Sequence, residues 1–89
     1  MTVDTVYLNG EFLKDRAEAI EVLEQALALP EWWGRNLDAL HDCLTDLGRP
    51  VRLELCGRAA LETTPFGRGL LRVLRDSAAE TPWLELETD

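Results

Sequence analysis

Apolar residues along the chain follow two rhythms, and the switches between them mark the elements. Val3 to Leu8 alternates weakly, is rich in β-branched residues, and meets Asn9-Gly10, which predicts a first strand closed by a turn. From Asp15 the period changes. Ile20, Leu23 and Leu27 recur at helical spacing, and Asp15 with Glu18 has the spacing of a capping box. A helix is therefore predicted from Arg16 to Ala28, stopped by Pro30. Trp32-Trp33-Gly34-Arg35-Asn36 makes a tight connection. A second helix is predicted from Gly34 or Asn36 to Leu47, ended by Gly48 and Pro50.

Val51 to Leu55 alternates cleanly and reads as the second strand. Gly57 to Thr63 has a weaker pattern, with room for one helical turn through Ala59, Ala60 and Leu61. Thr64-Pro65 is an N-cap followed by proline at the first helical position. Leu70, Val73, Leu74 and Ser77 form the inward stripe of a third long helix ending near Glu80. Gly67 and Gly69 weaken its first turn by up to about 1 kcal/mol each. After Pro82, Trp83 to Glu87 alternates as a last strand. Strands separated by helices favour parallel pairing, because a parallel crossover needs a connection of helical length. The expected fold is α/β, a three-stranded parallel sheet packed against helices in a single small domain over residues 1–89.

Length and charge narrow the function. A chain of 89 residues has room for one core, and no apolar run approaches the ~18 residues of a membrane span. The stretch Met1 to Leu8 lacks a basic region followed by an apolar one, so no secretory signal is expected and the cytoplasm is the expected location. Cys43 and Cys56 are read as two core thiols in a reducing compartment, with a disulfide between them as the other reading. A net charge of −8 argues against a nucleic-acid backbone or an anionic lipid surface as the partner. The same charge also serves solubility, so the placement of the carboxylates decides.

That placement is informative in the second helix. At about 100° per residue, Leu37, Leu40, Leu44 and Leu47 share one arc, with Cys43 at its edge. Asp38, Asp42 and Thr45 share another, with His41 at the border and Asp46 beyond. Asp38 and Asp42, four apart, repel by a few tenths of a kcal/mol. Asp42 and Asp46 lie toward the helix end where the dipole disfavours them. Two readings stand: a plain solvated face, or a docking surface whose internal repulsion is relieved by a cationic partner. The aromatic pair divides similarly. Trp33 is expected to anchor the loop in the core and Trp32 to stay on the surface as an interface anchor; the alternative buries both rings.

Catalytic groups are sparse. His41 is the one histidine, on a mostly exposed face, and Cys43 points away from it, so a Cys–His pair is not expected. Asp38, His41 and Asp42 could reach one ion, yet no second segment supplies further ligands. Gly67-Arg68-Gly69 lacks the spacing and lysine of a phosphate loop. Asp38 and Asp42 are close enough for a glycosidase pair but stand on a convex helix instead of in a cleft. The reading is a protein that is not an enzyme and needs neither cofactor nor metal.

Asn9-Gly10 and the run Leu27-Ala-Leu-Pro-Glu-Trp-Trp-Gly-Arg-Asn-Leu-Asp-Ala-Leu-His-Asp-Cys-Leu-Thr45 closely resemble the barstar family, intracellular inhibitors of the secreted ribonuclease barnase. The order of elements agrees through the last strand. The resemblance implies a one-to-one inhibitor, monomeric when free, whose second helix and preceding loop enter a cationic active site. Its carboxylates would stand where RNA phosphates bind. By position, Asp42 is the central carboxylate, Asp38 a second acid facing the rim, and Trp32 takes the place of a tyrosine. Gly34, Asn36, Leu37 and Thr45 match flanking contacts, Asp76 replaces a glutamate, and Glu80 matches an acid one turn on.

Departures from the family pattern are local. His41 stands where a tryptophan is expected, and protonated it would turn positive charge toward a cationic cleft. Arg35 stands where an acid is expected. The Gly57 to Phe66 connection is about two residues short, so a trimmed helix is expected there, and Cys56 is extra. These changes admit as partner a barnase-like ribonuclease or a related basic toxin. The alternative is an immunity, antitoxin or adaptor protein whose basic partner is not a ribonuclease.

Overall fold

The computed structural model describes residues 3–89. Met1 and Thr2, at the head of the stretch read for an export signal, lie outside the described residues. Strand β1 (Asp4–Asn9) runs into one 3-10 turn (Gly10–Phe12) and helix α1 (Arg16–Ala26). Helix α2 (Leu37–Thr45), strand β2 (Val51–Cys56), the short helix α3 (Arg58–Leu61), helix α4 (Pro65–Glu80) and strand β3 (Leu84–Thr88) follow. The sheet has the order β1-β2-β3 and every pair is parallel.

Register explains why one side of this sheet carries the core. Val6, Leu53 and Leu86 stand opposite one another across the three strands, as do Leu8 and Leu55, and Val51 and Leu84. These positions point to the helices, and Leu8, Val51, Leu53, Leu55 and Leu84 are buried. The alternate positions carry Tyr7, Arg52, Glu54, Glu85 and Glu87. On that outer face Arg52 bridges Glu54 (3.3 Å) and Glu87 (3.8 Å). The core behind the sheet is mostly leucine, with Leu23, Leu40, Leu44, Leu70 and Leu74 contributed by the three long helices. Each such burial contributes about 1.5–3 kcal/mol.

Three expectations about boundaries need correction. Helix α1 ends at Ala26, not Ala28. Ala28 adopts a left-handed φ of 50°, its N–H donates to the Gln25 carbonyl (3.4 Å), and the Leu29 N–H donates to the Glu24 carbonyl (3.0 Å). This is a Schellman stop, so the chain leaves the helix before Pro30 can interrupt it. Asp15 occupies the N-cap, but its side chain makes no capping bond, so the capping box is not formed. Cys56 is exposed at the end of β2 and not a core thiol; both cysteines are free. The short connection after β2 still accommodates α3, whose first N–H groups, those of Gly57 and Arg58, are capped by the Asp89 carboxylate at 3.0 and 3.1 Å.

Gly67 is required by packing. A Cβ there would lie 2.2 Å from the Leu61 carbonyl oxygen, because α3 crosses directly over the first turn of α4. The Thr64 hydroxyl holds that turn, accepting from the Gly67 N–H (2.9 Å) and donating to the Lys14 carbonyl (2.7 Å). At Gly69 a Cβ would meet only the Leu37 Cδ1, at 2.9 Å, which is the end of a flexible side chain. Gly67→Ala should therefore cost about 1–3 kcal/mol by overpacking. Gly69→Ala should cost little or gain up to about 1 kcal/mol of helix propensity. Urea unfolding of the two variants checks the contrast.

A second prediction concerns acid. The N–H groups of Arg58 and Gly57 hold the Asp89 carboxyl below the usual aspartate range. A folded-state pKa depressed in this way adds stability that is complete above the unfolded value of about 3.9 and is lost as pH falls through the folded value. Asp89→Asn should therefore lower the urea midpoint at pH 7, and the gap to wild type should close below pH ~3.9.

Candidate docking face

The segment between α1 and β2 is built to hold one aromatic ring in and leave the other out. Trp33 is 3% exposed and Trp32 is 83% exposed. The Trp33 indole Nε1 donates to Glu24 Oε1 (2.8 Å), and Arg35 Nε donates to the same oxygen (2.8 Å). The Trp33 bond, and then Arg35, lower the Glu24 carboxyl below its usual range against the opposing effect of its burial. Arg35 therefore does not stand as free positive charge beside α2, since its guanidinium is matched by Glu24. Glu24 lies nine residues before Trp33 on α1, and no local spacing signals that contact.

Gly34 (φ 89°) and Arg35 (φ 51°) reverse the chain in left-handed conformations just before the helix. Asn36 then caps it: Oδ1 accepts from the Ala39 N–H (2.8 Å), and Nδ2 donates to the Gly34 carbonyl (3.3 Å). The helix starts at Leu37 and stops at Thr45, short of the expected Leu47. Near its end the Thr45 hydroxyl donates to the His41 carbonyl (2.9 Å), with the Asp42 carbonyl at 3.2 Å. Gly48, at φ 65°, turns the chain toward β2.

Burial of Leu40 and Leu44 sets the rotation of α2. Leu37 is half-buried at the core edge, close to Gly69 of α4. Asp38, Asp42 and Asp46 face out, and the Asp42 side chain is 88% exposed. Among the described residues, no lysine or arginine pairs with Asp38, Asp42, Asp46 or Asp76, although Lys14, Arg35, Arg49, Arg52 and Arg58 each find a carboxylate elsewhere.

His41 and Glu80 were expected on one surface and are in contact, His41 Nε2 meeting the Glu80 carboxylate across the α2–α4 junction. A proton on His41 would thus face its own carboxylate partner, with Asp42 also 3.9 Å from Nδ1. Asp76 is placed differently. It lines a groove on α4 with Arg72 and Arg75. Trp32 borders another shallow groove with Cys43, Asp46, Leu47 and Arg49, so the exposed ring adjoins the C-terminal half of the acidic helix.

Burial, and then Asp42 and Asp46, push the Cys43 thiol up, which leaves it a poor nucleophile at neutral pH. Among the described residues, no three histidine, cysteine, aspartate or glutamate side chains are grouped so as to hold a metal ion. Among the described residues, no helix is long and apolar enough to cross a membrane. What the face offers is unpaired carboxylate on a rigid helix beside an exposed indole, a surface suited to a cationic protein.

The family model described as "Barstar (barnase inhibitor)" matches residues 3–87.

The two tryptophans should separate stability from recognition. Trp33→Phe keeps a ring in the core but loses the bond to Glu24, and should lower stability by about 1–3 kcal/mol. Trp32→Ala should leave stability within about 0.5 kcal/mol. Thermal unfolding of both variants is the check.

Proposed function

The chain belongs to the barstar family of barnase inhibitors, and from that premise we propose how it inhibits. Helix α2 and the loop before it enter the cationic active site of a barnase-like ribonuclease and occupy it with carboxylates in place of RNA phosphates. Asp42 is the central group. Its carboxylate accepts charge-assisted hydrogen bonds from cations of the cleft, which become strong once water is excluded. Asp38 meets cations nearer the rim, and Trp32 covers apolar surface beside them. Gly34, Asn36, Leu37 and Thr45 act chiefly by shaping and orienting the face. His41 with Glu80 forms its border, and Asp76 lies farther along α4.

The observation that carries this reading is that, among the described residues, the aspartates of α2 stay exposed without a lysine or arginine partner, although Lys14, Arg35, Arg49, Arg52 and Arg58 pair with carboxylates elsewhere. Mutual repulsion on the free helix becomes attraction when a positive pocket arrives, so binding removes a cost already present. The field of a chain carrying −8 steers the encounter and accelerates it at low salt. The enzyme and inhibitor form a one-to-one complex. Inhibition takes place inside the producing cell, on a ribonuclease destined for export.

Titration of a barnase-like ribonuclease with the purified protein tests the mechanism. Asp42→Ala should weaken inhibition by about 1.5–3 kcal/mol, since it removes hydrogen bonds between charged groups. Glu85→Gln, on the outer face of the sheet, removes the same formal charge and should change the affinity little. Equal losses in the two variants would show that net charge, and not the α2 face, drives binding.

A further inference from the structure

The positive charge of this acidic protein is not evenly spread. Arg68, Arg72 and Arg75 are all exposed on α4. Their spacing of four and three residues puts them on one side of the helix, along about 10 Å of its length. They line one groove, with Leu71 as its floor and Glu62 and Asp76 at its margins. No carboxylate among the described residues comes within 4.0 Å of any of the three. Glu62, just after α3, is turned to Arg58 at 3.5 Å, and only its backbone carbonyl accepts from Arg68 (3.1 Å).

Such an arrangement opposes helix stability. Like charges three and four apart repel, and Arg68 sits near the helix N-terminus, where the dipole disfavours a cation. The stripe is thus the reverse of the α2 face: cations held together without their natural partners, in a chain with acid to spare. Asp76 and Glu80 connect the two surfaces along α4, and His41 ties Glu80 to α2.

We propose that Arg68, Arg72 and Arg75 form a second docking surface that takes a run of carboxylates on a protein partner. A polyphosphate is the poorer match, because the net charge of −8 repels a long polyanion while a local acidic segment meets only the stripe. Continuity through Asp76 and Glu80 places that segment on the same partner that covers α2. The ribonuclease would then be one whose cationic cleft is bordered by an acidic lip, and this last step rests on the inhibitor reading.

The test uses the full chain labelled with nitrogen-15 and a hexaglutamate peptide, read at the arginine Nε–Hε signals. Saturable shifts at Arg68, Arg72 and Arg75 are expected. They should vanish in about 0.5 M salt. The Arg68 shifts, which remain readable in Arg72→Ala/Arg75→Ala, should there need at least about fivefold more peptide. Asp42→Ala should leave them unchanged. No shift with hexaglutamate overturns the proposal. So do larger shifts with a hexauridine RNA, or shifts that depend on protein concentration without peptide, which would assign the stripe to phosphate or to a second copy. In the complex with the inhibited ribonuclease, hexaglutamate should no longer bind; unchanged binding there would exclude the acidic lip. If no complex forms, the inhibitor reading fails, and the peptide titration alone still decides the stripe.

Discussion

Burial of Leu40 and Leu44 is the constraint on which the rest of this molecule turns. With both leucines locked into the core behind the sheet, α2 cannot rotate about its axis. The aspartates at 38, 42 and 46 are then turned outward, and all three are exposed. Apolar burial, worth several kcal/mol over the helix, comfortably outweighs a carboxylate repulsion of a few tenths. A small leucine core can therefore sustain an electrostatically unfavourable surface, and that surface is what a cationic partner would use.

The elements flanking α2 limit its freedom further. Left-handed residues stand at Ala28, Gly34 and Arg35 before it and at Gly48 after it. Two of them lack glycine's tolerance for this conformation, so their strain is held by surrounding bonds. Glu24 gathers Trp33 and Arg35 on one oxygen, and the Schellman stop fixes where the loop departs from α1. A loop so tied meets a partner with little left to order, which favours tight association.

Charge is sorted by sign across the surface. Arg52 crosslinks strands on the outer sheet face, Arg49 meets Asp4 (3.4 Å), and Arg58 meets Glu62. On the helical side, among the described residues, the acids of α2 have no lysine or arginine partner and Arg68, Arg72 and Arg75 of α4 no carboxylate, with the His41–Glu80 contact on the boundary. Exposed ion pairs contribute little to folding. The cost of leaving these groups apart is correspondingly small, so the separation is available for recognition.

Periodicity determined the succession of strands and helices, the inward leucines of α2 and the outward aspartates, and the helical length of the connections favoured the parallel sheet. Those features follow from which side of a strand or helix a residue occupies, and that geometry is local. The Barstar family also became legible through one contiguous run, Leu27 to Thr45. Only the tertiary structure decided that Arg35 is neutralised by Glu24 and that His41 meets Glu80. It also revealed that Asp76 belongs to a groove of arginines and that Gly67 is demanded by a crossing helix. Each of these depends on two segments distant in sequence approaching within a few ångströms, a distance that no spacing along a single element encodes. The early end of α1 is local by contrast, a left-handed Ala28 with bonds back to Gln25 and Glu24, but alanine carries no sequence signal for that conformation.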